Sequence, residues 1–514
     1  MLSIDKPPAR DRCVPDIVMR QAKCMPEATA LVDERRSVTF RKLNEEANRV
    51  AHYLLQDGIR AGEAVGVAVS RSVDMAVTVL AILKIGACYV PINRNFPAAL
   101  VHAIMSASKI RRVFASSDYP AGIIAPSALR FFRDIPVESY PETDIDQEVR
   151  GGDIAWVLYT SGSTGVPKGV MGTHDNILNR CRQIWETHPY RSGEVAIQNT
   201  RLSVIDSIWE LWAPLAQGTP VVLLDEQKSC ELRYLIDSWQ DYGISRICLV
   251  PSLLNEILDA FPDLRTRVPK LHQWITSGEM LTARTVRRFY RVLPEAVLYN
   301  QYGLTESSAD VTTYDTRSLP VHAGDDEIIP VGQMFDGVGA MLIDQKGDPV
   351  AAGERGELCL SGPCLLLGYA RHQSNHERFF TQVANGAQVR WFRTGDFAYW
   401  NPAGDLVITG RTDRQVKIRG YRVECDGVEA TLAECQAVSE IVVIARADRA
   451  GANVLQAFVV LFPGRSVTEV DLFARMHLPE YMVPSHFEAV AEIPRTHSGK
   501  LDRSALAVLR TAVL

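Results

Sequence analysis

IAWVLYTSGSTGVPKG, residues 154–169, runs from a short apolar, strand-like segment straight into a loop built of small residues. The last eleven positions, Tyr159–Gly169, hold three glycines and four Ser/Thr residues. Glycine lets backbone N–H groups come close to an anion, the hydroxyls add donors, and Lys168 adds a positive charge. A strand ending in such a loop suits an α/β protein that wraps phosphate oxygens. The Walker form of the loop is excluded: Pro167 stands before Lys168 where glycine is needed, and Gly169 follows where Ser or Thr is needed. On its own the segment reads equally well as a flexible surface turn.

Outward from the loop, apolar β-type runs at Ala64–Ser70, Val221–Leu224, Arg246–Val250 and Leu271–Thr276 alternate with helical stretches such as Leu43–Gln56 and Asp74–Ile85. This alternation predicts an α/β fold with parallel sheets covered by helices, which the family resemblance given below divides into two such subdomains. From Gly356 the texture changes to short strand-like segments punctuated by Gly, Pro and Asn-Pro, among them GELCLSG and NPAGDLVITG. A β-rich subdomain is expected there. The polar segment Gly410–Gly420, GRTDRQVKIRG, precedes about a hundred residues with an α+β pattern of their own. Strands are expected at Ile441–Ile444 and Val454–Phe462, and helices at Val428–Ala437 and Val470–Met476. A boundary at Arg411–Asp413 gives a core of residues 1–410 and a small C-terminal domain of residues 411–514, mobile if the family resemblance given below holds.

A chain of 514 residues exceeds what one hydrophobic core supports. Its 46% hydrophobic and 23% charged residues and its mean hydropathy of -0.03 describe an ordinary globular protein. A net charge of -6 and a pI near 6.0 argue against a broad basic surface, so neither nucleic acid nor a membrane is expected as partner. No run approaches the ~20 apolar residues that span a bilayer. The opening MLSIDKPPARDR lacks the apolar stretch of a secretory signal. Ten cysteines are scattered without CxxC pairs or zinc spacing, which predicts reduced thiols in a cytoplasmic protein.

The loop is similar to the signature loop of the adenylate-forming superfamily, which covers adenylation domains, acyl-CoA synthetases and luciferases. The resemblance continues in order through LKIGACYVPIN (Leu83–Asn93), NQYGLTES (Asn300–Ser307), GELCLSGPCLLLGYA (Gly356–Ala370), FRTGD (Phe392–Asp396), GRTDRQVKIRGYRVE (Gly410–Glu424), LPEYMVP (Leu478–Pro484) and SGKLDR (Ser498–Arg503). The Leu83, Gly410 and Ser498 segments resemble stand-alone adenylation domains of nonribosomal peptide synthesis more than acyl-CoA synthetases. The resemblance implies that a carboxylate attacks the α-phosphate of ATP, forming an acyl-adenylate and expelling pyrophosphate. Two anions must meet, so the barrier falls mainly through positioning and charge neutralisation.

By the same resemblance Thr160, Ser161, Ser163, Thr164 and Lys168 hold the β- and γ-phosphates, with Gly162 and Gly165 in the same loop. Thr305 contacts the α-phosphate, and Glu306 ligates Mg²⁺, a hard cation suited to one carboxylate plus phosphate oxygens. Asn300 and Tyr302 bind and stack the adenine. Asp396 takes both ribose hydroxyls, with Arg411 assisting. Lys500 bridges the substrate carboxylate and the α-phosphate, and a C-terminal domain turning about Asp413 then exchanges it for a thioester-forming face. His174 matches a family histidine near the substrate carboxylate; a structural histidine is the competing reading. The sequence up to Leu514 contains no carrier or condensation domain, so a separate phosphopantetheinyl carrier protein is the expected acceptor.

In amino-acid-activating members Phe-Asp-x-Ser precedes Trp-Glu, and that Asp pairs with the substrate α-ammonium. Here Val204–Glu210 reads VIDSIWE, so Ile205 holds the expected position and the acid is displaced to Asp206. A buried ammonium without a partner costs several kcal/mol, so Ile205 cannot do the family's job. An amine one carbon further from the carboxylate would need its counter-ion moved too, which points to a β-amino acid, as in stand-alone enzymes of macrolactam-type pathways. Asp206 also reads as a helix N-cap, although Ser207 and Glu210 form an S-x-x-E pattern that predicts a capping box without it. Motif alignment assigns Trp209, Ser252, Ile275, Ser277, Gln301, Ala309 and Asp310 to the rest of the pocket, more polar than an aliphatic tail needs. Asp310 reads a second amine or a hydroxyl, or lines the rim. An acyl- or aryl-acid ligase for a substrate without an amine is the competing function.

Overall fold

The structure is a computed structural model that describes residues 12–160, 162, 167–320, 323–370, 378–384, 386–447, 453–495 and 501–508. Ser161, Ser163, Thr164, Gly165 and Lys500 lie outside the described residues. The chain divides into two compact units, one of Met1–Ile92, Ala107–Leu158 and Gly169–Gly410, the other of Asn93–Ser106, Tyr159–Lys168 and Arg411–Leu514.

The first unit contains three sheets with parallel centres. The largest runs in the order Gly368–Tyr369, Lys168–Thr173, Ile154–Thr160, Cys88–Pro91, Ala64–Ala68, Val113–Ala115, Leu129–Phe131. Its strands from Ile154–Thr160 to Leu129–Phe131 pair in parallel, and Gly368–Tyr369 joins antiparallel at the edge. The Val73–Lys84 helix is buried at every residue but Asp74, so its sequence is apolar all round rather than on one face. Ser72 starts it, accepting the Met75 N–H on its hydroxyl. A second sheet places Thr29–Val32, Val221–Leu223 and Ala196–Gln198 in parallel, with Ser37–Thr39 antiparallel at one edge. In the third, Arg246–Leu249, Gln273–Thr276 and Val297–Asn300 are parallel, and Thr312–Asp315 and Gln333–Met334 add antiparallel strands.

The sheets are therefore mixed where the sequence pattern suggested parallel ones. The edge strands follow short connections: Val32 and Ser37 are too close in sequence for a crossover, so the chain can only turn back as a hairpin. The β-rich subdomain is antiparallel, with Gly339–Ile343 on Gly356–Ser361, then Ala387–Trp400 and Phe379–Ala384.

In the second unit, Gln415–Ile418 and Tyr421–Glu424 form a hairpin. Val438–Ala447 pairs antiparallel with Asn453–Leu461, which pairs in parallel with His486–Ala489. The helices Cys425–Leu432 and Val467–His477 contribute Val428 and Val470 to a core with Val443 and Val459. Ser466 and Glu469 close a capping box on the second of these. All ten cysteines are free thiols and eight are buried. Among the described residues no helix is long and apolar enough to cross a membrane.

Candidate active site

The strand Val297–Asn300 ends at an asparagine that is 2% exposed. Its Nδ2 donates to the carbonyls of Pro330 at 2.9 Å and Ile329 at 3.3 Å. Those bonds fix the amide's orientation and leave Oδ1 buried without a partner among the described residues. A buried acceptor left unspent suits the exocyclic amine of a purine. Two residues on, the Tyr302 hydroxyl donates to Asp396 Oδ2 at 2.6 Å. Asp396 is held in turn by its own N–H on Thr394 Oγ1 at 3.0 Å. The ring and the carboxylate assigned to adenine and ribose are thus adjacent, and an ionised carboxylate offers about four acceptor positions, enough for the tyrosine and a vicinal diol.

Between these elements and the acyl side lies a tight ribbon, Gly303–Leu304 paired antiparallel with Ala309–Asp310. Gly303 is required there: a Cβ would sit 1.9 Å from the Ala309 carbonyl oxygen. Ser308 and Ala309 take φ of 59° and 78°, left-handed values that cost a non-glycine residue about 1–2 kcal/mol each. The Ser307 hydroxyl holds the turn, accepting the Leu304 N–H at 3.1 Å and donating to the Ala309 carbonyl at 3.0 Å. The turn carries a half-buried Thr305 and a Glu306 that is 1% exposed. Glu306 Oε1 accepts the Tyr369 hydroxyl at 2.6 Å.

On the acyl side, Asp206 opens the helix Asp206–Ala216, half-buried, and accepts the Trp209 indole N–H at 3.0 Å. Ile205 is 8% exposed and belongs to the apolar core. The expected capping box is absent, because the helix is entered from a turn and its N-cap residue, Ile205, is already in helical conformation. Ser207 donates to the Val204 carbonyl at 2.7 Å instead. Glu210 reaches back to the Asn199 and Thr200 N–H groups and the Thr200 hydroxyl. Its complete burial pushes its carboxyl up to about 8.

Both oxygens of Asp310 already have protein partners. The Ser277 hydroxyl donates to its Oδ1, and Arg180 Nη2 donates to its Oδ2 at 3.1 Å. Arg180 also reaches Gln301 Oε1 at 3.3 Å, and Gln301 Nε2 meets His188 Nε2 at 3.0 Å. Trp209, Ser277, Gln301 and Asp310 thus converge on one guanidinium, or on its acid partner. Ile275 and Ala309 are each 2% exposed, on the neighbouring strands, while the Ser252 N–H is tied to Glu279 at 3.0 Å. Arg180 was missed from sequence, although a signal was present. Asn176, Asn179, Arg180 and Gln183 form a buried polar stripe at helical spacing on His174–Thr187.

His174 has one structural contact and one ring nitrogen, Nε2, that is buried without a partner among the described residues. It is fully buried, its Nδ1 accepts the Val14 N–H at 3.3 Å, and burial pushes its ring down to about 4. Because the folded value lies below the unfolded 6.5, the unfolded chain binds the extra proton first as pH falls. The stability held by the neutral ring is complete above pH 6.5 and falls, by about 3 kcal/mol, towards pH 4. His174→Gln, which keeps an acceptor for Val14, is expected to flatten the acid limb of a denaturation-against-pH series. A changed KM for the acid substrate in that variant would favour the substrate role over the structural one.

In the second unit Arg411, which the resemblance put at the ribose, chelates Asp413 through Nε at 2.7 Å and Nη2 at 2.9 Å. The fork geometry of guanidinium and carboxylate makes this a directional contact. Thr160 Oγ1 lies 3.5 Å from the Lys168 carbonyl, across the phosphate loop.

The family model of the AMP-binding enzyme matches residues 18–370, and that of the AMP-binding enzyme C-terminal domain matches residues 427–500. The chain belongs to the AMP-binding enzyme family. It is 30% identical over 513 residues to zwittermicin A synthase ZmaJ of Bacillus cereus, covering 97% of this chain and 95% of that protein. It is 33% identical over 499 residues to tyrocidine synthase 3 of Brevibacillus parabrevis, covering 95% of this chain but only 7% of the length of that synthase. Among solved structures, PA1221, a nonribosomal peptide synthetase protein containing adenylation and PCP domains, superposes with a TM-score of 0.85 at 26% identity, over 98% of both chains. The artificially fused adenylation–PCP di-domain NpsA-ThdA from Klebsiella oxytoca gives 0.83 at 25%, over 93% of both.

For an AMP-binding enzyme the arrangement fits its nucleotide. An unspent acceptor on Asn300, the Tyr302 ring and the Asp396 carboxylate lie on adjoining segments, and Glu306 is a buried carboxylate nearby in sequence. Among the described residues no group of three or more His, Cys, Asp or Glu could hold a metal alone. Glu306 fits a magnesium ion that takes its remaining oxygens from phosphate and water.

Proposed function

We propose that the chain uses ATP to activate an amino acid with its amine on the β carbon, and transfers the acyl group to the phosphopantetheine thiol of a separate carrier protein. The observation that carries the substrate class is the exchange of roles at two adjacent positions. Ile205 is packed into the core, while Asp206 is half-buried and oriented by the Trp209 indole. The adenylation and PCP domains named together in PA1221 support the carrier-linked reading.

In this reading Asn300 and Tyr302 hold the adenine and Asp396 the ribose. Thr305 and the loop residues Thr160, Ser161, Ser163, Thr164 and Lys168 hold the phosphates. Lys500 lies between the two anions that must meet, and Asp413 is the pivot that later withdraws it. Glu306 would hold Mg²⁺, which supplies charge neutralisation to the phosphates when bound. Glu306→Gln keeps the shape and removes the charge. Its expected result is a Mg²⁺ titration of ATP–pyrophosphate exchange displaced to higher concentration by about tenfold or more. An unchanged titration removes Glu306 from the ligand set.

The test of the function is ATP–pyrophosphate exchange over paired α-amino acids, β-amino acids and their deaminated analogues. Exchange with β-amino acids ahead of both other classes supports the reading. Exchange led by acids without an amine makes the chain an acyl- or aryl-acid ligase.

A further inference from the structure

We propose that the far end of the acyl pocket binds a neutral, hydrogen-bond-accepting oxygen on the substrate side chain, a carboxamide or hydroxyl, and that Arg180 is the residue that reads it. The inference rests on the adenylation reading of the pocket and extends it to the substrate's other end.

The Arg180 side chain is 3% exposed and its ion-pair partner Asp310 is 2% exposed. Both contacts to protein oxygen, Asp310 Oδ2 and Gln301 Oε1, use Nη2. The guanidinium also lies near two aromatic rings, 5.4 Å from Trp209 and 5.2 Å from Phe335. Nε and Nη1 are buried and find no hydrogen-bond partner among the described residues. They carry three of the five N–H donors of the group. Along the same face of the helix, Asn179 Nδ2 and Gln183 Nε2 are buried donors in the same condition. A cluster of unpaired donors is costly to hold away from water, and acceptors on a ligand would satisfy it.

The charge balance selects which acceptor. Arg180 and Asp310 cancel one another formally. His188, beside Gln301, is pushed down to about 3 by burial and by the cations Arg180 and Arg246, so it adds no charge. A carboxylate at this end would leave a net negative charge in a buried site, and an alkyl group would leave the donors stranded. A neutral oxygen does neither.

The test compares side chains of equal shape and different terminal group by ATP–pyrophosphate exchange. One set is β: 3,6-diamino-6-oxohexanoic acid, 3-aminohexanedioic acid and 3-amino-6-methylheptanoic acid. The other is α: glutamine, glutamate and homoleucine. The carboxamide is expected to lead its carboxylate and alkyl isosteres by tenfold or more in kcat/KM in whichever set is turned over. The order within a set tests Arg180 and the order between sets tests the amine position, so the two readings fail separately. Arg180→Met strands Asp310 and threatens folding; Arg180→Met with Asp310→Asn keeps the site neutral. That double variant is expected to lose the carboxamide preference and favour the alkyl acid. Wild-type preference for the carboxylate or alkyl acid, or a terminal-group order unchanged in the double variant, overturns the proposal.

Discussion

Lys500→Ala is expected to lower ATP–pyrophosphate exchange by about two to three orders of magnitude, the usual effect of removing one preorganised donor from a developing charge. The proposed role of this lysine rests on the resemblance of the SGKLDR motif, and adenylation needs a cation where the substrate carboxylate approaches the α-phosphate. Thioester formation from supplied acyl-adenylate is expected to survive in the same variant. That half-reaction has already lost the pyrophosphate, and in the proposed reading the turn about Asp413 has withdrawn Lys500 from it. Rapid-quench measurement of both halves separates them. Equal loss of the two would mean that the lysine supports the fold or acts in both steps, and the hinge role of Asp413 would fall with it.

Asp206→Ala is the second large effect. Leaving a substrate ammonium without its counter-ion in a largely buried pocket costs about 3–5 kcal/mol when burial is complete. Asp206 is half-buried, so solvent screens part of that cost. A loss of about a hundredfold in kcat/KM for the β-amino acid, about 2.7 kcal/mol, is the expected outcome. The deaminated analogue has no charge to strand and should lose little. The informative quantity is the ratio of the two substrates in wild type and variant, because a general disturbance of Trp209, whose indole donates to Asp206, affects both alike. An unmoved ratio would remove the β-amino reading. Moving the acid back with Ile205→Asp and Asp206→Ala should shift preference towards α-amino acids. The core position of Ile205 makes that variant less stable as well.

Much of the α/β layout was legible because apolar runs and helical periods report burial directly. Ala64–Ala68, Val221–Leu223 and Arg246–Leu249 fall where their composition put them. The antiparallel edges were not legible, since strand composition reports depth and not direction. The S-x-x-E pattern at Ser207 misled for a related reason. Capping chemistry requires a non-helical residue at the first position, and backbone conformation is not written in four letters. Within the pocket, the order of motifs brought Tyr302 near Asp396 and Gln301 near Asp310. Arg180 lies on a helix outside those motifs, and only the packing of that helix makes it part of the same surroundings.

The strained turn at Ser308 and Ala309 has a bearing on how errors are rejected. Three residues of chain with little freedom to adjust lie between Glu306, proposed for the nucleotide side, and Asp310, proposed for the acyl side. If Glu306 holds the metal at the phosphates as proposed, a side chain that displaces Asp310 would disturb it as well, through the chain rather than through solvent. Fidelity would then be exerted on turnover more than on occupancy: a wrong acid can enter and still fail to react. Replacing Ser308 and Ala309 by glycine relaxes that link, and misfit substrates should then gain kcat with little change in KM.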